Sequence, residues 1–125
     1  MRLLLDTNIL IRMLEEPHLL KARVRDLLDD LDNALVVTTV SLVEIAIKVG
    51  TGKLVMPDNL ISRLESLECE LLPVHARHAM RMARLPVVHK DPFDRLIVAQ
   101  AMADDLMLVT TDSQLADYGV AMIQA

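Results

Sequence analysis

Short apolar runs alternate along this chain with longer stretches in which apolar residues recur every three or four positions. The runs have the length and the aliphatic, often β-branched content of buried strands, whereas the longer stretches have the spacing of amphipathic helices. The predicted strands are residues 3–5, 35–40, 70–74, 107–110 and 119–123. The predicted helices are residues 9–14, 20–31, 41–49, 57–67, 75–85 and 92–101.

The order of these elements predicts the class of fold. Strands that alternate with helices favour a parallel sheet with right-handed crossovers. The chain contains no internal repeat, low-complexity tract or linker, so we expect a single α/β domain over residues 1–125. Pro73 has no backbone N–H to donate, which indicates an edge position for the third strand.

Two predicted helices begin with capping signals. Ser41 and Glu44 have the three-residue spacing of a capping box, which predicts a helix start at Ser41. Asp91 precedes Pro92, which indicates that Asp91 is the N-cap of the long helix. Asp94 is then the third residue of that helix.

Composition narrows the possible functions. Of 125 residues, 53% are hydrophobic, which is enough to bury a sizeable core. No apolar run approaches the roughly 20 residues of a membrane span, and the first residues lack a signal-peptide pattern. A single cysteine, Cys69, excludes an internal disulfide and suits a reducing cytoplasm. We therefore expect a cytoplasmic protein without a membrane partner.

The charge and the aromatic content bear on nucleic-acid binding. The net charge of −5 argues against a protein that coats nucleic acid, but it permits an enzyme that concentrates acids at a metal site. Phe93 and Tyr118 are the only aromatic residues, so stacking platforms for bases are scarce. If the substrate is RNA, we expect the protein to hold it by its phosphates and its shape.

Four acids share one placement, at the end of a predicted strand or in the first turn of a predicted helix. They are Asp6, Glu44, Asp94 and Asp112. Each alone is explained as a cap, because an acid near a helix N-terminus contributes about 0.3–1 kcal/mol. The carboxyl ends of parallel strands lie at the same edge of a sheet, so acids at these positions should come close together. Capping explains each acid separately but gives no reason for all four to meet at one edge.

A cluster of carboxylates points to metal chemistry. Carboxylates that crowd together resist ionisation unless a cation neutralises them. Oxygen ligands suit a hard divalent ion such as Mg²⁺ or Mn²⁺. Such an ion activates a bound water molecule and coordinates an oxygen of a phosphodiester. We therefore predict an acidic metal-binding pocket with Asp6 at its floor.

Four segments of the chain carry a resemblance to a known family. They are LLLDTN, SLVEIAIK, HKDPFDRLIVAQA and LVTTD. Their order and spacing resemble the PIN-domain ribonucleases and, more narrowly, the VapC-type toxins of bacterial toxin–antitoxin pairs. The resemblance spans nearly the whole chain, and DPFDRLIVAQA is its most specific part. It implies a PIN-like three-layer α/β/α sandwich whose central parallel sheet has about five strands in the order 3-2-1-4-5.

The resemblance also implies an activity and partners. It implies Mg²⁺- or Mn²⁺-dependent cleavage of RNA, a cognate antitoxin protein and a homodimer. The family's four acids match, in chain order, Asp6, Glu44, Asp94 and Asp112, which are expected to be both catalytic and metal-binding. Asn8 and either Thr110 or Thr111 match polar positions that orient the acids in relatives.

Basic residues near the acids are the candidates for substrate phosphates. Lys48, Lys53, Lys90 and Arg95 flank the acidic motifs. Arg95 adjoins Asp94 in sequence, so the alternative for Arg95 is that it neutralises a nearby acid. A separate stripe at i, i+4 and i+7 consists of Arg77, Arg81 and Arg84. It is interpreted as a solvated face, with contact to RNA phosphates as the alternative.

The histidines and the rival functions do not change this interpretation. The histidines lack zinc-site spacing, so surface or hydrogen-bonded roles are expected, and His89 alone lies near a motif. A phosphoacceptor signalling domain needs an aspartate after the third strand, where this chain has His75. A non-catalytic PIN-like module that binds nucleic acid or protein is the remaining alternative, and the presence of all four acids argues against it.

Overall fold

Five parallel strands form one sheet in a computed structural model that describes residues 1–88 and 90–125. The strands are β1 (Arg2–Leu5), β2 (Ala34–Thr38), β3 (Glu70–Leu72), β4 (Met107–Thr110) and β5 (Met122–Gln124). Their order in the sheet is β3-β2-β1-β4-β5. The helices are α1 (Thr7–Glu15), α2 (Ala22–Asp29), α3 (Thr39–Gly50), α4 (Leu60–Ser66), α5 (Ala76–Arg81) and α6 (Pro92–Ala103). Short 3₁₀ segments span Pro17–Leu19, Met82–Arg84 and Ser113–Tyr118.

Each face of the sheet carries its own hydrophobic core. Successive side chains of a strand point to opposite faces. Leu4 therefore packs with residues of α6, whereas Leu3 and Leu5 pack with residues of α1, α2 and α4. Leu4 is fully buried, and its replacement by alanine is expected to cost about 2–5 kcal/mol. The two cores make the three-layer sandwich, so the predicted fold class and strand order are confirmed.

The middle of the sheet determines where the site lies. β1 lies between β2 and β4, with Leu5 in register with Val109. The Asp6 N–H donates to the Val109 carbonyl at 3.0 Å, which continues the ladder one residue past the strand. Asp6 therefore stands at the carboxyl edge between two neighbouring strands. β3 lies at an edge of the sheet, as Pro73 predicted.

Several predicted boundaries are wrong by a few residues. α2 ends at Asp29, so Leu31, predicted on its apolar stripe, is 99% exposed. α4 begins at Leu60 rather than at residue 57, after a turn at residues 58–59. β5 begins at Met122 rather than at residue 119, because Gly119 (φ +76°) ends the preceding 3₁₀ segment in a left-handed conformation.

The helix after β2 begins earlier than the sequence predicted. β2 ends at Thr38, whose side-chain oxygen accepts a hydrogen bond from the Val40 N–H at 3.1 Å and caps α3. Ser41 is therefore inside α3 and is not its cap, so the capping-box interpretation of Ser41 and Glu44 is wrong.

Within the described part of the chain, no helix is both long enough and apolar enough for a membrane crossing.

Candidate functional site

Asp6 is the centre of the candidate site. It is the N-cap of α1 and is only 6% exposed. Its Oδ1 accepts a hydrogen bond from the Thr7 N–H at 2.7 Å, and its Oδ2 accepts one from the Thr110 hydroxyl at 2.6 Å. Two hydrogen bonds fix the orientation of the carboxylate and leave further lone pairs on its oxygens.

Thr110 joins Asp6 to Asp112. Thr110 is the last residue of β4, and its hydroxyl, which donates to Asp6, also accepts from the Asp112 N–H at 3.0 Å. The Asp112 side chain caps the 3₁₀ segment that follows, where its Oδ1 accepts from the Gln114 N–H at 3.0 Å. One hydroxyl thus sets the positions of two acids on neighbouring strands.

Thr7 joins Asp6 to Glu44. The Thr7 hydroxyl donates to Glu44 Oε1 at 2.9 Å and lies 2.8 Å from the Ser41 hydroxyl. A hydroxyl has one proton, so the Ser41 hydroxyl donates to Thr7 and the Thr7 hydroxyl donates to Glu44. The other Glu44 oxygen, Oε2, accepts from Lys48 Nζ at 3.1 Å, one turn further along α3.

The electrostatics of Asp6 reflect this crowding. Burial raises the pKa of the Asp6 carboxyl, the hydrogen bonds from Thr110 and Thr7 lower it, and the nearby charges of Glu44 and Asp112 raise it again. The net direction is upward. Glu44 and Asp112 are therefore each close enough to Asp6 to act on its charge, and the convergence of all four acids stays a prediction.

Asp94 lies on α6, which packs on the opposite face of the sheet from α1. Asp91 caps α6, because its Oδ1 accepts from the Phe93 N–H at 2.8 Å and from the Asp94 N–H at 3.4 Å. Asp94 is thus held, partly buried, in the first turn of α6, as predicted. A cleft of about 300 Å³ lies between α3 and this turn. Its lining includes Glu44, Lys48, Lys53, Asp91 and Phe93.

The fit of this site to a divalent metal rests on its donor chemistry. Asp6, Glu44 and Asp112 supply hard oxygen donors and carry like charges that a cation would neutralise. In residues 1–88 and 90–125, no three histidine, cysteine, aspartate or glutamate side chains are arranged as a metal site. The donor types therefore suit Mg²⁺ or Mn²⁺, whereas a closed set of ligands is not formed.

The residues predicted to contact substrate lie in different surroundings. Lys48 is bound to Glu44 and lines the cleft. Asn8 is exposed in the first turn of α1. The Arg95 guanidinium donates to the carbonyls of Pro86 at 3.0 Å and Met82 at 3.5 Å. It therefore holds the segment before α6, and its predicted contact with phosphate stays a prediction. His89 lies outside the described residues.

Sequence reasoning missed Thr7 and the role of Ser41. Thr7 follows the first acid, and Ser41 and Glu44 are three residues apart in one helix, so they share a face. The spacing of Ser41 and Glu44 therefore indicates a shared face of α3, and a capping box is the wrong interpretation of it. The signal for Thr7 was only its position beside Asp6, because its partners lie 34 and 37 residues away.

Comparison with solved structures supports the fold over its full length. A chain of VapBC2 from Rickettsia felis bound to a promoter DNA fragment is similar, with a TM-score of 0.72 at 19% identity over 99% of this chain and 98% of that chain. A chain of DNA-bound VapBC from Salmonella typhimurium is similar with a TM-score of 0.73 at 18% identity, over 99% of this chain and 98% of that chain. A chain of VapBC-5 from Mycobacterium tuberculosis is similar with a TM-score of 0.60 at 27% identity, over 99% of this chain and 98% of that chain.

The sequence itself gives the family. No curated protein matches the chain significantly. The family model described as PIN domain matches residues 3–121, which include every acid of the site. The chain therefore belongs to the PIN domain family.

Proposed function

We propose that this protein is a metal-dependent endoribonuclease that hydrolyses RNA phosphodiester bonds and is the toxin of a type II toxin–antitoxin pair. The observation that carries the proposal is the buried Asp6 carboxylate, whose pKa is raised by burial and by the charges of Glu44 and Asp112. Stability alone gives no reason to gather like charges around a buried acid. A divalent cation that binds between these carboxylates is a reason to gather them.

Mg²⁺ or Mn²⁺ is the cofactor that these residues would hold. Its ligands would be Asp6, Glu44, Asp94 and Asp112, directly or through water. When bound, such an ion supplies a water of lowered pKa and neutralises charge on the phosphoryl oxygens. Whether one ion or two are used depends on Glu44, which would share the first or help to hold a second.

The chain's own residues orient these acids. Thr7 and Thr110 fix the Asp6 carboxylate, and Thr110 also holds the backbone of Asp112. Glu44 is held between the Thr7 hydroxyl and the Lys48 ammonium group. Binding of an RNA phosphate by Lys48 would weaken its ion pair and release one oxygen of Glu44. Asn8 and Arg95 complete the proposed substrate contacts.

The partner in this proposal is an antitoxin protein. The similar structures from Rickettsia felis, Salmonella typhimurium and Mycobacterium tuberculosis are described as VapBC assemblies, and the last as a toxin–antitoxin system. We infer a cytoplasmic protein that works as a homodimer and is inhibited by a small protein encoded beside it. Co-purification of this chain with that neighbouring product tests the inference.

A nuclease assay tests the activity. Cleavage of structured RNA should require Mn²⁺ or Mg²⁺, stop in EDTA and resume when the ion is restored in excess. Asp94→Asn should abolish cleavage with its circular dichroism spectrum unchanged, whereas Asp26→Asn, an exposed change on α2, should cleave normally. Cleavage that persists in EDTA contradicts the metal-based proposal. RNA binding without cleavage under all these conditions favours the alternative, a non-catalytic PIN-like binding module.

A further inference from the structure

A basic groove runs along α5, outside the acidic site. It has a volume of about 470 Å³ and follows α5 and the 3₁₀ segment Met82–Arg84. Its lining residues are Arg77, Met80, Arg81, Ala83, Arg84 and Ala103. Three of the six are arginines and none is acidic, although the chain as a whole has a net charge of −5. The side chains that line the groove are therefore basic, although the chain as a whole is acidic.

The three arginines differ in how they are bonded. Arg77 donates to both oxygens of Asp104, at 2.8 and 3.0 Å, so its charge is balanced. The Arg81 Nε is buried and has no hydrogen-bond partner within the described part of the chain. Arg84 is exposed. Arg81 is only partly buried and lines the groove, so the rest of its guanidinium group can donate to an oxygen ligand that enters the groove.

The three arginines are spaced in a row along the axis of α5 and the 3₁₀ segment that follows it. Arg81 follows Arg77 by four positions along α5, and Arg84 follows Arg81 by three positions along the 3₁₀ segment. Each step is about 6 Å along the axis, from rises of about 1.5 and 2.0 Å per residue. Such a row suits a chain of phosphates better than one isolated anion. A second cavity, of about 520 Å³, also contacts Arg81, so this side chain is reached from two sides.

One end of the groove is joined to the turn that carries Asp94. Arg95 lies in the first turn of α6 beside Asp94 and donates to the carbonyls of Met82 and Pro86. Met82 begins the 3₁₀ segment that carries Ala83 and Arg84 of the groove. The groove and the turn that carries Asp94 are therefore joined by hydrogen bonds.

We propose that the α5 groove binds the phosphates of an RNA strand on one side of the bond that is cut, with Arg81 and Arg84 as its contacts. The inference rests on the proposed nuclease function and adds a second, non-catalytic surface for the same substrate. Arginine donors in a row recognise phosphate oxygens without reading bases, which suits a chain with two aromatic residues.

Salt dependence of RNA binding tests the groove. Binding of single-stranded RNA is measured by fluorescence anisotropy in EDTA, at several salt concentrations, so that no cleavage occurs. The slope of log affinity against log salt should become shallower by about 0.7 for each phosphate that the protein no longer neutralises, which is about 1.4 for Arg81→Met with Arg84→Met. Arg81→Lys with Arg84→Lys keeps the charges and should retain the slope.

A matched control removes the same charge elsewhere. Lys21→Met with Arg25→Met takes two exposed positive charges from the α2 region and should leave the slope unchanged. Equal changes in both double variants would attribute the effect to net charge and overturn the groove. A larger loss of affinity for duplex DNA than for RNA would overturn the assignment to RNA. If Arg81→Met does not fold by circular dichroism, the exposed Arg84→Glu gives the same test.

The groove and the nuclease proposal fail separately. RNA that is cleaved with Mn²⁺ while the methionine variants keep the wild-type slope overturns the groove alone. A slope that becomes shallower as expected, in a protein that cleaves no RNA, overturns the nuclease and supports the groove.

Discussion

Two carboxylates in this protein stand in surroundings of opposite sign. Asp6 is held by two threonines and faces the like charges of Glu44 and Asp112, so its pKa is raised. Asp104 lies at the C-cap of α6, where hydrogen bonds from Arg77 lower its pKa to about 2. The first arrangement places like charges beside a buried carboxylate, whereas the second pairs the carboxylate with an arginine. We infer that the first serves a ligand and the second serves the fold.

The Asp104 cluster is a structural brace. His78 is fully buried, its Nδ1 accepts from the His75 N–H at 3.0 Å, and its Nε2 lies 3.0 Å from Asp104 Oδ2. Because Nδ1 accepts, the proton of the neutral ring is assigned to Nε2, which donates to Asp104. An acid at a helix C-terminus opposes the helix dipole, and Arg77 and His78 offset that cost. The brace therefore joins α5 to the end of α6.

Asp6→Asn should have the largest effect on activity without loss of folding. It removes the central negative charge, and cleavage with Mn²⁺ should fall on the order of 10³-fold. The asparagine keeps an oxygen for the Thr7 N–H and loses the acceptor of the Thr110 hydroxyl, but it also removes a buried charge beside two like charges. We therefore expect that the midpoint of thermal unfolding in EDTA does not fall. A variant that loses cleavage only because it unfolds would make Asp6 a cap, as in the alternative explanation of the four acids.

His78→Ala should have a large effect on stability. It removes a fully buried side chain and leaves Asp104 and the His75 N–H without their partner, so we expect a loss of roughly 2–4 kcal/mol in the free energy of unfolding. Urea denaturation measures it. Cleavage per folded molecule should stay near the wild-type value, and the exposed His18→Ala is the matched control. A loss of cleavage in the folded variant would contradict a purely structural brace.

Thr7→Val should separate orientation of the acids from their charge. The valine keeps the shape and the backbone N–H but leaves Glu44 Oε1 without its donor. Loss of a hydrogen bond to a charged group of about 1.5 kcal/mol lowers kcat/KM about tenfold. Mn²⁺ affinity, followed by calorimetry, should fall with it, and Thr7→Ser should restore both. Unchanged metal affinity in Thr7→Val would show that Thr7 has no part in placing Glu44.

The two regions also show what the sequence could predict. The strand ends and the Asp91 cap follow from local patterns, so Asp6, Asp94 and Asp112 were placed correctly on their elements. The spacing of Ser41 to Glu44 predicts a cap, which is wrong because the hydroxyl of Ser41 bonds to Thr7 of another element. Local patterns carry no information about contacts across 34 residues of chain.

Arg95 and His78 illustrate the same limit. Arg95 adjoins Asp94 in sequence, but helical rotation of about 100° per residue separates their directions, and Arg95 contacts Pro86 and Met82. His78 and Asp104 are 26 residues apart and belong to no motif, so the sequence predicted only a surface or hydrogen-bonded histidine. Packing of α5 on α6, and not any local signal, brings them together.

The pH dependence of stability should have opposite signs in the two regions, and it is the smallest effect expected. Asp104 has a lowered folded pKa, so the stability it contributes is present above its ordinary pKa of 3.8 and is lost as the pH falls towards about 2. Thermal midpoints of the metal-free protein measure it. Asp104→Asn should lie furthest below wild type near pH 5 and approach wild type near pH 2.

Asp6 should behave in the reverse way in the same measurement. Its folded pKa is raised, so the cost of its charge is absent below 3.8 and develops as the pH rises through the folded pKa. Asp6→Asn should therefore gain stability relative to wild type between pH 4 and pH 7 in EDTA. Mn²⁺ should remove that gain by stabilising wild type alone. A midpoint for Asp6→Asn that tracks wild type at every pH, with and without Mn²⁺, would mean that the three acids do not strain one another, and the reason to place a cation among them would be gone.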